Sequence, residues 1–249
     1  MLYICIPTYN EAPTVGLLLW RIRRVFQDYS REYEIVVYDD ASTDSTAATL
    51  EPYKKVIPLT VIGGTQRRGY GHAIGALCRE VAARTRYPRR DAMIVMQADF
   101  TDQPEHILEL LKRFEGGADI VTTGQDGSTA SGEVRRLGRL AGWIQKIAMP
   151  RSASAAGAEA FTSFRCYRIS VLRELIKTLG DAPIVTTDGW AANAELLLRA
   201  TPFARKVEKL RLEKRYDLRP RPSRLRPLPS ALGIYRVARS ARRLLATGS

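Results

Sequence analysis

The sequence predicts an α/β protein, a mainly parallel sheet with helices packed against it. Three observations carry that expectation. Short apolar runs alternate with longer segments of helical period, giving a βαβαβαβαβ order over about the first 120 residues. Four successive strands end in polar clusters, at the end of an open parallel sheet where ligands bind. The chain has 249 residues, 45% of them hydrophobic, enough for a sizeable core in one α/β domain followed by a tail.

The predicted strands are LYICIP, YEIVVYD, LTVIG, AMIVMQA and ADIVTTG. Between the first two, APTVGLLLWRIRRVFQDY carries its apolar residues on one face, with Pro13 where a first helical turn tolerates proline. STDSTAATLEPY opens with capping residues, and YGHAIGALCREVAARTR and QPEHILELLKRF complete the helices of this half. After Gly124 the pattern loosens. DGSTASGE reads as a polar loop, VRRLGRLAGWIQKIAM as a helix and RSASAAGAEAFTS as a small-residue connection. A short strand at FRCYR, helices from Ser170 and from Asp188, a strand near ARKVEKLRL, a proline-arginine stretch and a final helix SALGIYRVARSARRLLA follow.

The formal charge of +13 is concentrated at one end. Residues 205–249 hold fourteen Lys and Arg against three Asp and Glu, a net of +11, which leaves +2 for residues 1–204. A nearly neutral body with a cationic tail points to a polyanionic partner: nucleic acid, an anionic membrane or a phosphorylated ligand. Cys5, Cys78 and Cys166 lack paired or metal-type spacing and read as reduced core residues, which suits a cytoplasmic setting. The N-terminal residues lack the features of a signal peptide, and no apolar run approaches the roughly 20 residues of a membrane span. The expectation is a soluble or peripheral protein.

The strand-end clusters are PTYNE, YDDASTD, GGTQRRGYGHA and QADFTDQPE. Ser42 and Asp44 read equally well as caps of the helix that follows or as ligand contacts. Asp40 is harder to explain as a cap, because a second adjacent carboxylate adds repulsion. His72 reads as a helix-terminal hydrogen-bonding residue. Asp99, with Gln97 and Asp102, reads as a divalent-cation site, since buried carboxylates without a partner are costly and a metal can bridge a carboxylate to a nucleotide diphosphate. A helix cap before Pro104 is the accepted reading for Asp102 but not for Asp99.

Together CIPTYNEA, VVYDDASTDST, RGYGHAIGAL and MQADFTDQPEHI resemble the inverting family 2 glycosyltransferases of the GT-A fold. FTSFRCYRISVLREL, GWAANAELLLRA and RYDLRPRPSR are similar to the polyprenyl-phosphate sugar transferases of the dolichyl-phosphate mannosyltransferase type, and the likeness extends to about Arg226. The resemblance implies a GT-A domain over residues 1–226 and a basic amphipathic C-terminal helix over 227–249. It implies that Pro7, Tyr9, Asn10 and Glu11 line the nucleotide pocket and that Asp40 holds the base or ribose. Asp99 would be the metal-binding carboxylate, assisted by Gln97 and by Thr101. Arg165, Glu195, Ser223 and Arg224 match positions near the donor diphosphate and the acceptor, and Arg135, Arg136 and Arg139 fall where such enzymes place arginines for the acceptor phosphate. The chain departs from the family at Gln97, where the usual residue is a first aspartate, and at Gln125, near the place of an arginine in many mannosyl enzymes.

The activity so implied is inverting transfer of a hexose from a GDP- or UDP-sugar to a polyprenyl phosphate, with Mg2+ or Mn2+ as cofactor, at the cytoplasmic face of the membrane. A phosphate monoester is largely dianionic near neutral pH and needs no strong general base. The larger demand is electrostatic, which a metal and several arginines meet. The final helix sets Ile234, Val237, Ala238, Ala241, Leu244 and Leu245 opposite Arg236, Arg239 and Arg243, so it can lie on an anionic bilayer, pack on the body or dock on a small membrane partner. Transfer to a hydroxyl, with Asp188 as general base, and a GT-A scaffold inactivated at Gln97 are the alternatives. Nucleic-acid binding ranks below these, because the tail has few interleaved aromatics and the strand-end carboxylates repel phosphate.

Overall fold

A computed structural model describes residues 1–125 and 162–212. They form one seven-stranded sheet of order β3-β2-β1-β4-β6-β5-β7, in which only β6 runs antiparallel to its neighbours. The strands are β1 (Leu2–Thr8), β2 (Tyr33–Asp39), β3 (Leu59–Gly63), β4 (Ala92–Val95), β5 (Ile120–Gln125), β6 (Arg165–Arg168) and β7 (Val207–Leu212). The helices are α1 (Ala12–Gln27), α2 (Thr46–Leu50), α3 (Tyr70–Arg84), α4 (Ile107–Glu115), α5 (Ile169–Leu179) and α6 (Trp190–Ala200). Short 3-10 turns lie at Glu51–Lys55, Pro104–His106 and Thr201–Phe203.

Because side chains alternate across a strand, each central strand feeds two cores. Leu2, Ile4, Ile6, Ile35, Val37 and Ile94 pack with α1 and α4 on one face. Tyr3, Cys5, Val36, Tyr38, Met93 and Val95 pack with α3, α5 and α6 on the other. Both faces are covered, which is why these strands read as continuous apolar runs. The three cysteines are free and buried, and burial pushes the thiols of Cys78 and Cys166 up to about 12.

The structure revises several element boundaries. β4 ends at Val95, three residues before the predicted end, because the Gln97 amide turns to the Asp102 carboxylate (3.3 Å) and Phe100 enters left-handed backbone space (φ 61°). The predicted helix from Ser42 begins only at Thr46 and tightens into a 3-10 turn at Pro52. β6 is antiparallel, an orientation that its four residues alone do not encode. The predicted helix at 134–149, the proline-arginine stretch, the 226/227 boundary and the C-terminal helix lie outside the described residues.

At the amino edge of the sheet the buried Asp91 accepts from the Thr85 hydroxyl, the Tyr87 amide (3.3 Å) and the Met1 ammonium (2.9 Å). Burial raises its pKa, but these donors lower it further, leaving it below the usual carboxylate value. A depressed folded pKa contributes stability that is present above the unfolded value, about 3.9, and lost as pH falls through the folded one. Asp91→Asn is therefore expected to cost about 1–3 kcal/mol at pH 7 and to shrink the acid-dependent loss below pH 4, as read by urea unfolding at pH 7 and pH 3.

Candidate active site

The chain leaves β1 toward β2 and leaves β4 toward β5, so the loops after these adjacent parallel strands diverge. A crevice opens between them at the carboxyl edge, the position where open α/β sheets bind ligands. The backbone there is strained. Asn10, Ala41 and Phe100 are the positive-φ residues other than glycine among those described, and they follow β1, β2 and β4 respectively. Each such conformation costs about 1–3 kcal/mol and persists where surrounding bonds impose it.

Those bonds are visible at Asn10. Its amide donates to the Ser42 hydroxyl (2.9 Å), and its side chain exchanges bonds with Thr43 (2.8 and 3.1 Å). Glu11 N donates to Thr46 Oγ1 (2.9 Å) and Ala12 N to Asp44 (3.2 Å), while Ser42 is held in turn by Asp39. Ser42 and Asp44 thus tie the first two strand-end loops together, and Asp44 also caps the first turn of α2 through the Thr46 amide (2.9 Å).

Asp40 reaches a different helix. Its buried carboxylate accepts the amides of Arg68 (2.7 Å) and Gly69 (2.9 Å), the residues leading into α3. The Arg67 guanidinium lies 3.9 Å from the centre of the Tyr9 ring, and its Nε is 3.9 Å from Asp40. Arg67 was legible only as part of a glycine-bearing turn, yet it joins the β1 loop to the β3 loop. His72, in the first turn of α3, meets Tyr38 edge-on at 5.8 Å, and burial together with Arg68 lowers its pKa.

Asp99 lies at the other lip of the crevice, 2% exposed, and accepts the Thr101 amide (3.1 Å). Asp102 accepts Gln97 N and the Ser163 hydroxyl (3.2 Å). Arg165 is paired in register with Val95, the last residue of β4, so the antiparallel strand delivers a cation beside this loop. Its guanidinium is buried and donates to the Asn193 carbonyl (2.5 Å). The Asn193 side chain accepts from Tyr70 (2.9 Å), which joins α3 and α6 under the crevice. Burial raises the Tyr70 pKa well above that of a free phenol.

Glu195, also buried, receives the amides of Thr186 (2.9 Å) and Thr187 (2.8 Å), their hydroxyls (2.7 and 2.8 Å) and the Arg199 guanidinium (2.7 Å). That turn sets Asp188 on the start of α3, where it accepts Gly71 N (2.9 Å). Gly71 is required here, because a Cβ would fall 2.1 Å from the Thr187 carbonyl oxygen. Asp40 and Asp188 therefore hold the two sides of the α3 N-terminus, and what Glu195 contributes to the crevice passes through residues 186–188.

The sequence profile described as Glycosyl transferase family 2 matches residues 3–176, which contain both lips of this crevice. The chain belongs to that family. Among curated relatives, this glycosyltransferase is 29% identical over 174 residues to an undecaprenyl-phosphate 4-deoxy-4-formamido-L-arabinose transferase of Pseudomonas fluorescens (strain Pf0-1), covering 70% of this chain and 48% of the relative. A protein of the same name from Edwardsiella ictaluri (strain 93-146) is 28% identical over 173 residues, with 70% and 50% covered. The glycosyltransferase thus spans about half the length of these relatives. Among solved structures it is similar to glucosyl-3-phosphoglycerate synthase from Mycobacterium tuberculosis in complex with Mn2+, UDP and glucosyl-3-phosphoglycerate (19% identity, TM-score 0.65, 97% of this chain and 78% of that one). It is also similar to S. aureus TarS 1–349 in complex with UDP-GlcNAc (17% identity, TM-score 0.56, 86% and 58% covered). These likenesses establish the GT-A fold.

Of the residues singled out in the glycosyltransferase sequence, Pro7 lies near the carboxyl end of β1, Tyr9, Asn10, Glu11, Asp40, Gln97 and Asp99 come from the carboxyl-edge loops, and Arg165 comes from β6 beside them. Glu195 stands behind the α3 N-terminus, while Arg136, Ser223 and Arg224 lie outside the described residues. No group of three or more His, Cys, Asp or Glu is gathered among the described residues. A Mg2+ or Mn2+ ion shared with a nucleotide's phosphates needs only one or two carboxylates. The 97–102 loop offers hard oxygen donors in Asp99, Asp102 and the Thr101 hydroxyl. Thr101 Oγ1 is buried and has no hydrogen-bond partner among the described residues. That donor set fits such an ion.

Proposed function

We propose that this glycosyltransferase moves a hexose from a GDP- or UDP-sugar to a polyprenyl phosphate, with inversion, while peripherally bound at the cytoplasmic face of a membrane. The observation that carries the acceptor is the 28–29% identity over 173–174 residues to transferases named for undecaprenyl phosphate. The nucleotide donor is supported by solved relatives holding UDP or UDP-GlcNAc.

In this reading Pro7, the Tyr9–Glu11 loop and Asp40 receive the nucleoside, with Arg67 resting on the Tyr9 ring. Asp99, with Gln97, Thr101 and Asp102, would hold Mg2+ or Mn2+, which when bound would supply positive charge for the leaving group. A lipid-phosphate oxygen attacks the anomeric carbon. The bond to the nucleoside diphosphate breaks, and its electron pair leaves on the β-phosphate oxygen. Arg165 adds fixed positive charge at the crevice wall, and the family resemblance assigns Arg136, Ser223 and Arg224 to the phosphates. The acceptor's dianion makes a general base unnecessary.

The test is nucleoside diphosphate release from GDP- and UDP-sugars with Mg2+ or Mn2+, with and without a short polyprenyl phosphate. Release that depends on the lipid phosphate is expected, and slow release indifferent to it would overturn the acceptor. Transfer to a hydroxyl is the second reading, favoured by the place of Asp188 at the start of α3 on the carboxyl edge. Under that reading Asp188→Asn abolishes turnover with intact donor binding.

A further inference from the structure

We propose that the outer flank of α1 is a membrane-contact surface that seats on an anionic bilayer. Leu17 and Trp20 are one helical turn apart and 54% and 48% exposed, two of the five large apolar residues exposed among those described. Residues 12–27 contain no acidic side chain and three arginines, Arg21, Arg23 and Arg24. Arg23 and Arg24 are exposed and have no ion-pair partner among the described residues. The Arg24 guanidinium lies 5.7 Å from the Trp20 ring centre, so a cation and an indole share one spot. Tryptophan and arginine each carry an apolar body and a polar end, the composition that favours the headgroup boundary over water or hydrocarbon.

The flank adjoins the chemistry. α1 begins at Ala12, directly after the Tyr9–Glu11 loop, and Trp20 is about 12 Å further along the axis at 1.5 Å per residue. Arg21, on the same helix, donates to Gln103 (3.0 Å) and Glu105 (2.7 Å) and lies over Phe100, binding α1 to the loop that carries Asp99. A bilayer seated here lies beside the carboxyl edge, so a lipid phosphate in its headgroup layer has a short path to the crevice. The choice of a bilayer as occupant rests on the lipid-acceptor reading above. Exposed arginines near an anionic surface add electrostatic attraction to the apolar contact.

The experiment uses the full chain with Trp143→Phe and Trp190→Phe, so that Trp20 is the only emitter, and vesicles of phosphatidylglycerol and phosphatidylcholine with or without brominated acyl chains. A blue shift of Trp20 emission and quenching by brominated lipid are expected. In the otherwise wild-type chain, Leu17→Ser with Trp20→Ser is expected to lower the vesicle partition coefficient at least five-fold, leaving UDP binding and turnover of a water-soluble short-chain polyprenyl phosphate unchanged. Unaltered Trp20 emission while the protein sediments with vesicles would overturn the proposal. So would dissociation of a dimer by the double variant with vesicle partition intact, which would make a second copy the occupant. Wild-type chain that binds vesicles through Trp20 but turns over no polyprenyl phosphate would sink the acceptor reading alone.

Discussion

Asp99→Asn is expected to lower transfer about 10²–10³-fold and to remove the divalent dependence of nucleoside diphosphate binding, with the fold intact. The asparagine oxygen can still accept the Thr101 amide that Asp99 accepts at 3.1 Å, so the loop keeps its shape. What the substitution removes is the negative charge that would hold a metal against the leaving diphosphate. Losing one such electrostatic contact corresponds to about 3–4 kcal/mol in the transition state. Calorimetric titration of UDP and GDP with and without Mn2+, alongside thermal unfolding, separates the two effects. Unchanged Mn2+-dependent affinity in the variant would remove Asp99 from the metal site.

A large effect of another kind is expected at Glu195. Glu195→Ala deletes the acceptor of two amides and two hydroxyls and leaves Arg199 without its carboxylate. Breaking a buried ion pair from one side costs about 3–5 kcal/mol. Glu195→Gln should cost less, since an amide oxygen can still take the Thr186 and Thr187 amides while the Arg199 pair is lost. Urea unfolding reads the graded loss. Because the turn supports Asp188 at the α3 N-terminus, the Gln variant is also expected to raise the KM for donor with little change in kcat. Equal stability of wild type and Glu195→Ala would contradict this account.

The parallel half of the fold was legible in the sequence because each central strand is covered on both faces and each helix has one apolar side. β2 and β3 match their predicted residues, and β1 extends one residue further. Reading failed where polar side chains redirect the backbone. Met96 to Ala98 look like strand, but Asp102 captures the Gln97 amide and ends it. Asp44 and Ser42 look like caps of one helix, yet they also bind the chain after β1 from more than thirty residues away. The direction of β6 depends on how the intervening chain returns, which four residues cannot state. Asp99 and Asp40 stood out because carboxylates at strand ends demand partners. Asp40 found one of its partners in the amides before α3, a contact with no local signature. Glu195 was legible only through the family resemblance, and its partners, two threonines eight and nine residues earlier, were present in the sequence as a plain polar pair.

The measurement that tests the central claim most directly is transfer of labelled sugar from UDP- or GDP-hexose into an organic-extractable lipid, assayed with polyprenyl phosphate and Mn2+ and with each left out. The account predicts a labelled lipid of the mass of hexosyl polyprenyl phosphate, formed only when both are present. Nucleoside diphosphate released in full while the label stays in the aqueous phase would contradict it.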